Sequence, residues 1–540
     1  MQVLAAGSRL LKQYTLIMSQ LPYRANLSAA IFPMTLARAG RSVIIPGPDQ
    51  NFNRSIDSPD DSNRDAGIPQ IIYGENILPT ADGYQSVGYT DGGDFGTTGA
   101  PDVQWVPIKL SIPISGYKHI LMLVGIGQSK STINGVQVYL DSVTGTAPVG
   151  PTNNVTTATV RGICYLHVGT RIYTVTWTGS GCTLTEITGT FTPGGILTNL
   201  IGICGSYNYL ILLKSDNTVN WSSTTTPTDF TPSLVSGAGS GALVGTAGSA
   251  FILKESPFGF YVYCSGNVVS ASYTGNARYP WKFVPIEDSE GVTLLSQVAG
   301  EPTDSFNVTV ANSGNLMQVG QRGAQLIAQE ISELISRLGY RDTFNYTTNE
   351  FAVESLTDPR FSLAYLMSRY IVLSVGGIGY VYDMLFKRYG KVNVNHNYVV
   401  DLNSLSALGS RTLVFIDLLS GTTKILSTNV NDSSVQMQGV LLLGKFQYVR
   451  ARLIVLDEVS VESTQISQLV GAESKNFELL LLPTLDGKTF LPAVTPYLAD
   501  EGDSVRTYNA MAEGKNISLL FKGAFDLCSV EMLLHLGGSV

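Results

Sequence analysis

The sequence predicts an all-β fold, with a β-propeller, an extended N-terminal arm, a C-terminal β-sandwich-like domain and one inserted helix. Its 540 residues include 55 Gly and 26 Tyr but only 14% charged residues, a balance that favours strands and turns. Short apolar runs separated by turn residues follow one another from Lys118 to Phe386. A chain of this length exceeds one ordinary core, so either several units or one large repetitive β architecture is expected.

Residues 1–95 are expected to form the N-terminal arm and an extended segment. From Pro46 to Asp94 the chain is polar and rich in turn residues, which predicts an arm lying over other parts of the molecule. The apolar run from Leu10 to Met18 contains Lys12 and is too short for a signal peptide or a membrane span. Elsewhere no run reaches about 18 uninterrupted apolar residues, so the sequence predicts no membrane insertion.

Residues 96–435 are expected to form the propeller. Pairs of apolar runs are joined by tight turn signals, as in HVGTRIY, KSDNTV and CSGNVV, and each pair predicts a hairpin. Repeated hairpins favour a propeller over a sandwich, because radial repetition protects strand edges. The repeats are too degenerate to count, and about five to seven blades are expected. Residues 436–540 carry longer runs, such as YVRARLIVLDEVSVE, which predict the β-sandwich.

The inserted helix is predicted over Arg322–Leu338, where apolar residues recur at helical spacing. Glu330 and Glu333 lie off this apolar stripe. The helix either caps the propeller by burying the stripe or presents it to a partner subunit. The stripe consists of Ile327, Ile331, Leu334, Ile335 and Leu338.

A possible sugar-cleaving signature lies in SDNTVNW, which resembles the Asp-box of bacterial neuraminidases. Asp216 stands one place too early, the glycine is absent, and Asn220 stands where threonine should be. The segment is therefore interpreted as a blade hairpin, in which Trp221 buries its ring where one blade meets the next. A glycosidase also needs two carboxylates at a set separation. Asp383, Glu287 and Asp288 are possible members, but strand-end and turn positions are favoured for them.

Other motifs miss their required spacing. GAGSGALVG has Val244, and VGGIGYVYD has Tyr382, where a dinucleotide loop needs its third glycine. DGKTF lacks the first glycine of a P-loop, and DSNRDAG from Asp61 has Ala66 where a calcium loop needs glycine. Five scattered cysteines form no C-x-x-C pair. No catalytic residue, cofactor or metal site is predicted, and the chain is not expected to be an enzyme.

The charge balance bears on nucleic-acid binding. A formal net charge of -8 and a pI near 5.2 argue against a surface that neutralises phosphates. The same charge is compatible with passive contact between the protein and DNA in an acidic channel.

The order of several segments resembles the β-propeller tail hub or nozzle proteins of short-tailed bacteriophages, over about residues 200–540. These segments include NTVNWSSTTTPTDFTPS, PWKFVPI and YVYDMLFKRYGK, in which Tyr389 stands where tryptophan is commoner. At the C-terminus, LLLLPTLDGKTF and ISLLFKGAFDLCSVEMLLHL are similar to the paired strands that end such chains. The resemblance rests on the order of the segments, since none is specific alone.

The resemblance implies a structural virion protein, made in the host cytoplasm and located in the phage tail. It implies a homo-hexameric ring that extends the portal-adaptor channel, retains packaged DNA and allows its ejection. The implied partners are the head-to-tail adaptor above, tail fibre, spike or needle proteins, and packaged DNA that passes without specific contacts. Two alternatives stay open: a receptor-binding, carbohydrate-binding or glycan-cleaving spike, and a propeller scaffold from a cell. A spike predicts an aromatic platform or a carboxylate pair in one concave pocket.

Overall fold

A computed structural model describes residues 21–26, 71–94, 106–141, 155–293, 297–328, 340–403, 411–463 and 477–536, with short gaps inside these ranges. Within them the regular structure is almost entirely β, and the one helical element is a single 3-10 turn at Thr188–Thr190. The all-β prediction is confirmed. The first strands are β1 (Leu21–Asn26), β2 (Ile71–Glu75), β3 (Ile77–Pro79), β4 (Tyr84–Ser86) and β5 (Gly88–Asp94).

Five consecutive four-stranded antiparallel sheets form the first blades of a propeller. Blade one has β6 (Val106–Ile114), β7 (Tyr117–Gly125), β8 (Gln128–Ile133) and β9 (Gln137–Asp141). Blade two has β10 (Val155–Val160), β11 (Ile163–Val168), β12 (Arg171–Trp177) and β13 (Cys182–Glu186). Blade three has β14 (Leu200–Ser206), β15 (Tyr209–Lys214), β16 (Thr218–Trp221) and β17 (Gly239–Ala242). Blade four has β18 (Ala250–Ser256), β19 (Gly259–Cys264), β20 (Val268–Tyr273) and β21 (Trp281–Pro285). Blade five has β22 (Val298–Ala299), β23 (Phe306–Val310), β24 (Leu316–Gly320) and β25 (Gly323–Ile327).

A hairpin of β26 (Tyr340–Asn345) and β27 (Glu350–Ser355) separates blade five from blade six. Blade six has β28 (Phe361–Leu366), β29 (Tyr370–Val375), β30 (Ile378–Asp383) and β31 (Arg388–Asn393). Blade seven has β32 (Tyr398–Asn403), β33 (Arg411–Asp417) and β34 (Thr422–Ser427), and its fourth strand is β5 from the N-terminal region. A short β35 (Gln436–Met437) pairs with the other edge of β5. The described residues thus give seven blades, the upper end of the expected range.

Strand β5 closes the ring. It pairs antiparallel with β34, from Gly88 opposite Ser427 to Asp94 opposite Thr422. Closure is reinforced between the first strands of blades one and seven, where Lys109 Nζ lies 3.1 Å from Asp401 Oδ2. Joining the last blade to the N-terminal end of the chain leaves no open gap between the first and last blades.

Neighbouring blades share apolar cores. The core between blades three and four contains Trp221, whose side chain is 7% exposed and whose indole N–H donates to Gly237 O at 2.9 Å. The hairpins predicted for HVGTRIY, KSDNTV and CSGNVV are confirmed as β11–β12, β15–β16 and β19–β20. The burial predicted for the Trp221 ring is confirmed too. Other residues of this core are Val219, Phe260, Val262, Val269 and Trp281.

The helix predicted over Arg322–Leu338 is wrong at its start. Gly323–Ile327 form strand β25, which pairs with β24 so that Ala324 faces Val319 and Leu326 faces Met317. Five residues with alternating side chains complete the edge of blade five, and sheet pairing overrides the local helical spacing. Residues 329–339 lie outside the described residues.

The C-terminal strands build a β-sandwich. They are β36 (Gly439–Phe446), β37 (Ile454–Ser463), β38 (Glu478–Thr484), β39 (Tyr497–Glu501), β40 (Val505–Gly514), β41 (Asn516–Gly523) and β42 (Asp526–Leu536). One sheet has the order β2-β36-β41-β38, and the other continues from blade six through β3, β4, β42, β37, β40 and β39. Strand β1 pairs with β42. The core between the sheets includes Leu441, Leu456, Val459, Leu481, Leu519, Phe521 and Val530.

We predict that Trp221→Ala destabilises the propeller by about 3–5 kcal/mol, because it leaves a cavity between two blades and removes the bond to Gly237. Thermal unfolding followed by circular dichroism measures the effect, and a clear fall in Tm is expected. Val244→Ala is the matched control, since Val244 is 68% exposed. Equal Tm values for the two variants would contradict the packing role of Trp221.

Candidate functional site

The Asp-box-like segment lies in the hairpin between β15 and β16. Asp216 accepts a hydrogen bond from the backbone N–H of Thr218 at 3.0 Å, so its carboxylate shapes the turn. Trp221 at the end of β16 is buried in the interblade core. The segment therefore has a local structural explanation for both its acid and its aromatic residue.

The three carboxylates considered for catalysis have different surroundings. Glu287 and Asp288 are exposed in the turn after β21, and Asp288 has a positive φ of 56°. Asp383 is fully buried at the end of β30, and its Oδ2 lies 2.6 Å from Arg369 Nη2. Its other oxygen, Oδ1, accepts the backbone N–H of Leu385 at 2.9 Å. Asp383 thus holds a turn and an arginine in place.

The glycine clusters are parts of the blades. GAGSGALVG contains β17, and VGGIGYVYD runs into β30. The calcium-like segment from Asp61 and the DGKTF residues 486–490 lie outside the described residues. Across the described ranges, no group of three His, Cys, Asp or Glu side chains is placed to hold a metal, and no helix is long and apolar enough to cross a membrane.

The most concentrated set of buried charges lies where residues 71–86 pass between blade six and the sandwich. Strand β3 pairs with β31 at Ile77 and Lys391, and β4 pairs with both β3 and β42. The turn between β3 and β4 therefore sits over the end of blade six. We call this region the junction and define it by residues 73–84 together with Arg369, Asp383, Arg388 and Lys391.

Arg388 is the centre of the junction. Only 7% exposed, it donates to Gly83 O at 3.2 Å, to Ala81 O at 3.1 Å and also to Thr80 O. One guanidinium thus donates to three carbonyls of the β3–β4 turn and holds the turn in place. Gly83 is required on the other side of this turn, because a Cβ there would lie 1.8 Å from Leu527 O of β42.

A second arginine anchors the preceding residue. Tyr370 donates its hydroxyl to Pro79 O at 2.9 Å, and Arg369 Nη2 approaches the same oxygen at 3.4 Å. The Arg369 guanidinium also lies 4.5 Å from the Tyr370 ring and 5.0 Å from the Phe386 ring. Arg369 therefore links the carboxylate of Asp383 to the N-terminal strand.

A network of tyrosines extends from the junction to the neighbouring strands β5 and β31. Lys391 Nζ lies 3.3 Å from the hydroxyl of Tyr73, which in turn donates to Glu75. Tyr89 donates to Asn76 Oδ1 at 2.6 Å, and the same oxygen accepts the N–H of Asn393 at 2.8 Å. These contacts connect β2, β3 and β5 with β31.

Burial sets the titration behaviour of the junction. It raises the pKa of Tyr84 and of Tyr89, and it raises the pKa of Tyr370 to about 12 against the opposing charge of Arg369. Burial opposes the charge on Arg369, yet the hydrogen bond and charge of Asp383 leave its pKa raised. These tyrosines therefore stay neutral, and Arg369 stays charged, at neutral pH.

Sequence reasoning reached Asp383 but missed Arg369, Arg388 and Lys391. The usable signal was KRYGK, where basic residues interrupt an otherwise apolar strand pattern. Long cations inside such a strand are buried only when partners neutralise or bond them. The N-terminal groups that they contact lie some 300 positions earlier in the chain, with a separation of 305 residues for Arg388 and Gly83.

A second feature is an exposed group of rings on blades three and four. We call Tyr207, Phe258, Tyr273 and Tyr279 the aromatic patch; they are 47%, 44%, 36% and 61% exposed. The rings of Tyr207 and Tyr273 stack with centroids 4.4 Å apart and planes 18° apart. Both rings pack on the buried Trp281, whose ring centroid lies 5.5 Å from that of Tyr273.

No family model matches the chain, and no curated protein matches it. Among solved structures, the WD40 β-propeller domain of Doa1 is 9% identical, with 64% of this chain and 98% of that chain covered at a TM-score of 0.35. YCF48 from Cyanidioschyzon merolae is 12% identical, with 60% and 97% covered at 0.36. BamB from Moraxella catarrhalis is 8% identical, with 60% and 97% covered at 0.29. These likenesses say nothing of what the chain does.

We predict that Arg388→Met loosens the junction, because three turn carbonyls lose their charged donor at a buried site. A loss of about 3 kcal/mol is expected, together with faster amide hydrogen exchange in residues 71–86. Lys387→Met is the matched control, since Lys387 is the exposed neighbour of Arg388. Unchanged exchange in residues 71–86 of the Arg388 variant would show that the guanidinium does not hold the turn.

The buried histidines predict a pH dependence of stability. Burial lowers the pKa of His167 and of His396 from 6.5 to about 4, against a backbone hydrogen bond that opposes the shift. As pH falls from 6.5 to 4, the unfolded chain binds protons that the folded chain does not. Stability is therefore full above pH 6.5 and falls by about 1.4 kcal/mol per pH unit for each histidine until pH 4.

Urea unfolding at stepped pH values measures this slope. His396 contacts Ser374 Oγ through Nε2 at 2.5 Å, so His396→Gln keeps a polar group there while removing the titration. The variant should show a shallower loss of stability over the acid range than the parent chain. Parallel curves for the two proteins would exclude His396 as a source of the pH dependence.

Proposed function

We propose that the chain is a structural virion protein of a short-tailed bacteriophage and forms the nozzle or hub ring of its tail. In this role it extends the portal-adaptor channel, retains packaged DNA and lets the DNA leave. The observation that carries the proposal is the position of Tyr380–Lys391, the segment YVYDMLFKRYGK. This segment is part of the resemblance, and its Asp383 and Arg388 build the junction that fastens the sandwich to the propeller.

The construction of the chain supports an architectural role. Residues 71–94 are hydrogen-bonded into the sandwich, blade six and blade seven, so the units cannot turn freely about a single linker. A wall component needs this kind of fixed geometry. In the proposed particle, six copies ring the tail axis below the head-to-tail adaptor, and tail fibre, spike or needle proteins attach to the same ring.

The charge of the chain supports the proposed contact with DNA. With a net charge of -8, the protein repels a phosphate backbone on average and offers few basic groups that would hold it. DNA could then move along the channel without a specific bound state. Under this proposal the chain has no catalytic chemistry, cofactor or metal, and the polar groups of the junction serve structure.

The aromatic patch favours one alternative, a receptor-binding or carbohydrate-binding spike. Exposed tyrosines and Trp281 beneath them provide the ring surface that such a protein needs. The two functions differ in assembly. A spike is expected to be a stable trimer in isolation, whereas a nozzle subunit is expected to be mainly monomeric until its docking ring is present.

Cryo-EM of virus particles that carry this chain tests the proposal. A ring of this chain is expected on the tail axis, between the portal complex and the tail tip. Density confined to peripheral spikes would favour the alternative. Absence of the chain from the particle would overturn both virion functions.

A further inference from the structure

The aromatic patch lies at one end of blades three and four. Tyr207 is in the β14–β15 turn, Phe258 in the β18–β19 turn, and Tyr279 in the β20–β21 loop. Because strands alternate in direction, the turn after the first strand and the loop after the third lie at the same end of a blade. Tyr207 bonds across the blade boundary, through a hydroxyl that lies 3.3 Å from Pro257 O.

The patch continues onto the β16–β17 loop of blade three. Leu234 and Val235 are exposed there, at 66% and 98%. This loop approaches the rings below the patch, since a Cβ at Gly237 would lie 2.7 Å from the Tyr209 hydroxyl. Tyr209 in turn packs 5.7 Å from Trp281. Six large exposed apolar side chains therefore share one surface, which is typical of an interaction site.

The composition of this surface favours a protein partner. Tyr207 and Tyr273 each use one ring face on the other, and Arg278 lies over the Tyr279 ring at 5.4 Å. Tyrosine and arginine around buried tryptophan are the residues enriched in protein interfaces. Arg278 is exposed beside the Tyr279 ring, and Asp229 in the β16–β17 loop accepts a hydrogen bond from the Thr192 hydroxyl at 3.1 Å.

A complementary surface exists on the sandwich. On β40 the core-facing residues Tyr508, Ala510 and Ala512 are buried, whereas Met511 between them is 90% exposed. The register puts Tyr497 of β39 opposite Asn509 on that outer side, and Tyr497 is 76% exposed. We call this side the acidic face; its carboxylates are Glu458, Glu462, Asp500, Glu513 and Glu531.

The acidic face also ends in a free-standing edge. Within the described residues, β39 is the last strand of its sheet. On its other side the sheet passes through β42 to β4, and β1 also pairs with β42 there, with Arg24 in register with Glu531. Met511 and Tyr497 thus supply apolar contacts at the β39 side, and the carboxylates around them offer partners for Arg278.

We propose that the aromatic patch of one copy docks on the acidic face of a second copy of this chain. The contact is heterologous, because two different surfaces meet, and such contacts generate rings when the rotation closes. Its apolar centre pairs the tyrosines with Met511 and Tyr497, and its charged rim pairs Arg278 with carboxylates. The inference rests on the proposed function, since it supplies the contact between neighbours in the ring.

Photo-cross-linking tests the contact directly. A benzophenone amino acid replaces Tyr279 in the full chain, and isotopically labelled and unlabelled copies are mixed at high protein concentration before illumination. Cross-linked peptides that join residue 279 of one copy to β39 or β40 of another are expected. The control places the same probe at Val244, which is 68% exposed in the connection after β17, at the other end of the blade. It should give none of these peptides.

Charge reversal adds a second readout. Arg278→Glu should lower the cross-link yield several-fold, and mixing it with copies that carry Glu458→Arg and Glu513→Arg should recover much of the loss. Circular dichroism checks that each variant folds. Absence of intermolecular products, or products that map away from the acidic face, would overturn the inference. Should the chain still form an axial ring in virus particles, the proposed function stands and only this interface fails.

Discussion

The backbone hydrogen bonds of one stretch, residues 71–94, hold the molecule together. Strand β2 belongs to one sandwich sheet, β3 and β4 connect blade six to the other, and β5 completes blade seven. Every one of these partners lies more than 290 residues away along the chain. A propeller closed within its own sequence would leave the sandwich on a single connection. Here the closing strand and the sandwich strands are consecutive, so the ring and the sandwich are fixed by the same segment.

The buried charges explain why this segment has one position. Backbone pairing alone places a strand beside β31, but it does not determine which turn of the chain lies over the end of blade six. Arg388 fixes the position of the β3–β4 turn by donating to three of its carbonyls. Arg369 fixes the residue before the turn by contacting both Pro79 and Asp383. Ion pairs of this kind add little net stability compared with apolar packing. Their contribution at the junction is to penalise any other register of the chain, because a misplaced turn would leave buried charges without partners.

The fold was largely predictable because its hairpins are local. Turn residues and alternating apolar runs locate strands such as β15 and β16 from a few neighbouring positions. The number of blades was not predictable in this way. Blade seven takes its fourth strand, β5, from the N-terminal part of the chain, and the β26–β27 hairpin interrupts the series of four-stranded blades. The helix expected over Arg322–Leu338 shows the limit of periodicity: GAQLI fits either structure until β24 is known to lie beside it. The junction could not be predicted for the same reason as blade seven. Arg388 and the turn at residues 80–83 meet in space but are far apart in the sequence, so no local pattern links them.

The closing strand β5 is synthesised long before the strand that it pairs with. Asp94 is synthesised 328 residues before its partner Thr422, which at about 5–20 residues per second is a wait of roughly 15–65 s on the ribosome. Through that time β5 is a strand without its sheet. Its sequence, GYTDGGD, suits the interval: two acids and three glycines make a poor template for accidental pairing. Strand β5 can therefore wait in the nascent chain with little tendency to aggregate, and the ring is sealed only when blade seven has been translated.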